Sequence, residues 1–147
     1  MDGESIRAFE AGSMGVIADA YSNLSNYPKA IEMYLQALDI AEKKNDKHNT
    51  AFIYAGMGDI YQRQGDFVNA EKYLNMSISL SKQIGDFSRS CDGELTMAEL
   101  LIQKGDTSLA RKTTEDALKM AIENTYPFHE SWAYRIKGVL KEKENNF

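Results

Sequence analysis

The stretch DIYQRQGDFVNAEKY, residues 59–73, decides the fold. It contains two segments that each read as helix, joined by Gly65-Asp66, a turn signal. Forty residues earlier stands DAYSNLSNYPKAIEMY (19–34), and forty residues later ELLIQKGDTSLARKT (99–113). A chain that repeats one pattern three times reads as a stack of similar units, because one helix pair cannot bury its apolar face alone.

The register extends along the chain. Tyr21, Tyr61 and Leu101 are spaced by forty, as are Ala30, Ala70 and Ala110, followed by Ala37, Ser77 and Ala117. Turn signals fall in step at Ser25-Asn26, Gly65-Asp66 and Gly105-Asp106, and a second set falls at Asn45-Asp46, Gly85-Asp86 and Asn124 to Pro127. Between the breaks, Met14, Ile17, Ala18 and Tyr21 recur at helical spacing, as do Tyr54, Met57, Gly58 and Tyr61. No run alternates with period two. The pattern predicts seven helices near 7–24, 27–44, 47–64, 67–84, 87–104, 107–123 and 128–144. Gly85 is suited to a left-handed helix end and Asp86 to capping the next helix, while Pro28 sits in a first turn that needs no amide hydrogen.

The residues within each unit resemble the tetratricopeptide repeat. In the second unit Tyr54, Met57-Gly58, Tyr61, Ala70 and Leu74 follow that family's order of large residue, Leu-Gly, Tyr, Ala and aromatic. The first unit matches with Met14, Ile17-Ala18, Tyr21, Ala30, Tyr34 and Ala37. The third matches with Met97-Ala98, Leu101, Ala110 and Ala117, but carries Glu94 and Thr114 at positions for large side chains, which predicts looser packing there. Small residues at Ala18, Gly58 and Ala98 let one helix approach the next. The resemblance implies an all-α, right-handed α-solenoid, a single domain over 1–147. Its repeats span about 7–45, 46–85 and 86–125, in the family's long 40-residue form, and the charged end of the helix near 128–144 marks it as a solvating cap.

Composition narrows the function. With 22 acidic against 17 basic residues, the net charge of −5 argues against a nucleic-acid partner. Cys91 is the sole cysteine, so no intrachain disulfide forms and a reducing, cytoplasmic setting is expected. The opening MDGESIRAFEAG lacks a basic head with an apolar run, and no stretch approaches the roughly 18 apolar residues of a membrane span. No phosphate loop, Gly-x-Ser-x-Gly elbow or His-Glu-x-x-His pair is present. His48, Cys91 and His129 fall near the starts of successive first helices, too far apart for His48 and His129 to share a zinc ion. No enzyme, catalytic residue, metal or cofactor is expected.

In the tetratricopeptide family the first helix of each unit lines a concave groove. The resemblance places there Asp19, Ser22 and Asn23, then Asp59, Gln62 and Arg63, then Glu99, Ile102 and Gln103. Gly12, Gly15, Phe52, Ala55, Asp92 and Leu95 come earlier on the same faces, and Trp132 and Arg135 lie in the cap. Asp19, Asp59 and Glu99 form a carboxylate ladder, read either as a ligand surface or as groups paired with basic neighbours such as Arg63. The ladder disfavours acidic chaperone tails, which the family grips with Asn and Lys. The expected function is a protein-protein interaction scaffold or adaptor whose groove takes a protein or peptide segment, basic with apolar anchors. The alternative is a self-associating structural module, or the sensor or regulatory part of a larger assembly. Gly12 and Gly15 weaken the first helix as a free cap, which points to a homo-oligomer through the N-terminal end.

Overall fold

The computed structural model describes residues 3–146, with the backbone alone for residues 4–8. Seven α-helices account for them: α1 Gly3–Asn23, α2 Tyr27–Lys43, α3 Lys47–Arg63, α4 Phe67–Gln83, α5 Phe87–Lys104, α6 Thr107–Asn124 and α7 Pro127–Asn145. Among the described residues there is no strand. From α2 onward each helix starts and ends within a residue of the expected bounds, whereas α1 begins four residues before the expected position 7.

The breaks are built alike. A residue with positive φ closes each one: Ser25, Asn45, Gly65, Gly85, Gly105 and Thr125, a left-handed residue every twenty positions. The next residue donates its backbone N–H across the turn, from Asn26 to Tyr21, Asp46 to Ala41, Asp66 to Tyr61, Asp86 to Ser81, Asp106 to Leu101 and Tyr126 to Ala121, each at 2.9 Å. This pattern satisfies carbonyls orphaned at a helix end. The same residue then caps the following helix. Asp46, Asp66, Asp86 and Asp106 accept from the backbone N–H three residues on, at 3.0–3.1 Å. Asn26 does so at 3.4 Å. Tyr126 cannot, and there Pro127 starts α7 without a donor to satisfy.

The chain forms two compact units, residues 1–80 and 81–147. In the first, α1 packs on α2, α2 on α3 and α1 on α3, the contact pattern of stacked hairpins. Its core gathers Ala11, Ala18, Ala30, Tyr34, Ala37, Ala41, Ile53, Met57 and Ile60. Alanines at the crossings let the backbones approach while Tyr34 and the α3 residues fill the space between them. Gly58 lies at such a crossing, where a Cβ would sit 2.8 Å from Leu74 Cγ and 3.3 Å from the Leu74 backbone nitrogen. Replacing Gly58 with Leu therefore overpacks the α3–α4 contact and should cost about 2 kcal/mol. Thermal and urea melts would check this, and an unchanged midpoint would contradict the packing described. Gly15 also has a packing role, because a Cβ there would lie 2.6 Å from Phe52 Cε1.

In the second unit α5 packs on α6 and α7, and α6 on α7. The expected looseness of the third repeat is not what the side chains show. Glu94 is 6% exposed and Thr114 fully buried. Thr114 turns its hydroxyl back to the Ala110 carbonyl at 2.7 Å, and Glu94 Oε1 meets Lys82 Nζ at 2.5 Å. The latter contact repeats one made forty residues earlier in different chemistry, where the Tyr54 hydroxyl donates to Glu42 at 3.1 Å. A second pair of equivalent positions behaves likewise: Ser77 Oγ donates to the Ala51 carbonyl at 2.8 Å, and Cys91 Sγ lies 3.8 Å from the Ala117 carbonyl. Toward the end of α7, residues 141–146 are exposed and Glu144 pairs with Arg111.

Candidate partner-binding groove

The expected groove residues divide between the units. Asp19, Asn23, Phe52, Asp59, Gln62 and Arg63 belong to the first, and Glu99, Gln103, Trp132 and Arg135 to the second. In the first unit Asp19 accepts from the hydroxyl of the fully buried Tyr34. Burial raises the Asp19 pKa, the Tyr34 hydroxyl pulls it down, and the nearby Asp59 charge pushes it up again. Burial and the same carboxylate push the Tyr34 phenol up. Room for that phenol comes from Gly56, where a Cβ would lie 2.1 Å from Tyr34 Oη. Asp59 pairs one helical turn on with Arg63, at 2.8 Å. The Phe52 ring lies against α1 at Gly15 and is half-buried, so its area is largely spent on packing. Gln62 is half-buried, Asn23 is exposed, and Ser22 is buried.

In the second unit the expected residues come together. Glu99, Ile102 and Gln103 from α5 and Arg135, Ile136 and Val139 from α7 line an open depression of about 270 Å³. At its edge Trp132 Nε1 donates to Glu99 Oε1 at 2.8 Å, and Arg135 Nη2 reaches the same oxygen at 3.4 Å. Both donors fall on Oε1, so Oε2 carries no protein donor among the described residues. Phe128 flanks Trp132, with ring centroids 6.2 Å apart. Ile136 and Val139 were not among the expected residues. Val139 lies one turn past Arg135 on the same face, so extending that face would have found it. Leu95, expected near the groove, is fully buried core, and Asp92 is engaged by His129 Nε2 at 2.8 Å.

The titratable residues outside the groove offer little chemistry. Burial first, then the Glu94 and Asp92 charges, push the Cys91 thiol up to about 11, so it stays protonated at neutral pH. Its neighbour is a backbone carbonyl, not an imidazole. His48 is exposed in the first unit, and His129 is buried in the second. Among the described residues no three His, Cys, Asp or Glu side chains cluster to hold a metal ion, and no helix is long and apolar enough to cross a membrane.

Stacked helical hairpins with a shallow groove between first helices define a helical-repeat protein. The family model for the tetratricopeptide repeat matches residues 10–83, and the chain belongs to that family. The fold is shared with the crystal structure of BtubC (BKLC) from P. vanneervenii, with a TM-score of 0.69 over 92% of this chain at 19% sequence identity. The chain spans 59% of the length of that protein. No curated protein sequence matches it.

Proposed function

We propose that the chain is a protein-protein interaction scaffold, and that the depression between α5 and α7 receives a peptide segment of its partner. Tetratricopeptide repeats generally mediate protein-protein interaction. The observation that carries the reading for this chain is the pairing of an apolar wall, Ile102, Ile136 and Val139, with Glu99 Oε2 beside it. A leucine or aromatic side chain would fill the wall, and a neighbouring lysine or arginine would meet Glu99. The carboxylates of the first unit contribute less than their number suggests, since Asp19 and Asp59 already have internal partners. The forty-residue spacing supports the long-repeat form, with repeats 7–45, 46–85 and 86–125 and the cap 128–144 acting as one domain. The net charge of −5 and the lone, buried cysteine fit a protein partner in a reducing, cytoplasmic setting.

Selection from a random peptide library should enrich Leu or Phe next to Lys or Arg. Trp132, the sole tryptophan, gives a fluorescence titration at the groove edge. Val139→Glu should weaken a selected peptide by about tenfold or more. Glu99→Gln, which keeps an acceptor for Trp132, should weaken it less and flatten its loss of affinity with salt. Enrichment of acidic peptides, or full affinity in Val139→Glu, would move recognition away from this depression.

A further inference from the structure

The forty-residue register compares faces of different helices, and one face of α1 stands out. On α3 the side facing the preceding hairpin carries Ile53, Met57 and Ile60, all nearly or fully buried, with Gly56 against Tyr34. The positions forty residues earlier are Ser13, Ile17, Ala20 and Val16, and a further turn back lies Phe9. Here they are uncovered: Phe9 is 73% exposed, Val16 62% and Ile17 46%, with Ala20 exposed and Ser13 half-buried. The face that the second repeat buries against its neighbour is thus present on the first repeat, apolar and open.

We propose that this face pairs with the same face of a second copy of the chain, α1 against α1 in antiparallel order about a twofold axis. The stripe from Phe9 to Ala20 rises about 17 Å along the helix, enough for three turns of contact. An antiparallel pairing centred between Met14 and Gly15 sets Phe9 opposite Ala20 of the second copy and Ser13 opposite Val16. Each bulky residue then meets a small one in both halves, the condition for a self-complementary contact. None of the five residues of this face is charged. A head-to-tail stack would instead need a matching face on α7, the last helix, and would build an open filament rather than a closed pair. Twofold pairing closes on itself and requires nothing from that end. One helix face on each side buries several hundred Å², the small end of the range and typical of weak, transient contacts, so the dimer forms at about 100 µM or above. Each copy carries a net charge of −5, so screening strengthens the dimer. The groove reading predicts the opposite salt response for peptide binding, which keeps the two separable.

Sedimentation of the whole chain from about 10 µM to about 1 mM tests the pairing, with helicity checked by circular dichroism. The wild type should pass from monomer to dimer, at lower concentration as salt rises. Val16→Glu should remain monomeric. Ala20→Phe sets two phenylalanines against each other and should weaken the dimer by about tenfold. Adding Phe9→Ala to it restores a large-against-small pair and should return the affinity to near the wild-type value. Both positions are exposed, so neither change disturbs the monomer's core. A wild type that stays monomeric throughout overturns the proposal, as does a dimer indifferent to Val16→Glu or a double variant no better than Ala20→Phe alone. A wild-type monomer would hand the stripe to a helical hairpin of another protein.

Discussion

Replacing Gly56 with alanine should cost about 3 kcal/mol, far more than a single methyl group usually does in a helix. A helix interior would ordinarily gain up to about 1 kcal/mol from this change, because alanine is the better helix former. Here the new Cβ falls 2.1 Å from Tyr34 Oη and 2.3 Å from Cζ. Tyr34 has no exposed surface, and its ring cannot shorten, so either the ring swings off its rotamer or α3 moves away from α2. The first route separates the phenol from Asp19, leaving a partly buried carboxylate without its donor, and the second gives up the packing of α3 on α2. A melting temperature about 10 °C lower is expected. Tyr34→Leu, the residue at the equivalent position 74, removes the clash, so the two changes together should be less damaging than their separate costs added. Additive costs in a double-mutant cycle would mean that Gly56 is not the notch that accommodates Tyr34.

Lys82→Met should be the second large effect, at about 2 kcal/mol. Glu94 is buried with its Oε1 on the Lys82 ammonium, and its Oε2 has no partner. Removing one member of a buried pair costs about 3–5 kcal/mol, and the figure here is lower because the Lys82 side chain is 47% exposed. The second variant decides the interpretation. Met14 and Tyr54 occupy the positions equivalent to Glu94, and Lys82→Met with Glu94→Leu restores an apolar residue there. Well-packed apolar replacements of buried ion pairs are often neutral or stabilising. The double variant should therefore recover the wild-type urea midpoint or exceed it. A double variant as unstable as Lys82→Met alone would show that the site depends on something other than the ion pair.

The helices were legible because their signals are local. Five of the six breaks are written in two adjacent residues, one that takes positive φ and one whose side chain caps the next helix, and these pairs recur every twenty positions. The depression between α5 and α7 was legible in part as a place where named residues meet. Glu99, Gln103, Trp132 and Arg135 came from repeat position, and the structure brings them together. Ile136 and Val139 were missed because the charged run from Lys141 reads as the start of a cap and ended the useful face too early. Partners one turn apart, such as Arg63 for Asp59, can be read from spacing. Tyr34 for Asp19 and Trp132 for Glu99 cannot, since each crosses between helices. Glu94 misled for the same reason. An acidic residue at a core position suggests a loose spot until its lysine, twelve residues earlier on the preceding helix, is seen.

The buried thiol of Cys91 also makes the chain its own probe of local opening. Fully enclosed and protonated, it is shielded from a thiol reagent while α5 stays docked, and no other sulfhydryl competes. The slow rate of modification, set against the rate in denaturant, measures how often the second unit breathes. Followed with and without a bound peptide, the same rate would report how much a ligand between α5 and α7 quiets that motion, from the unlabelled natural chain.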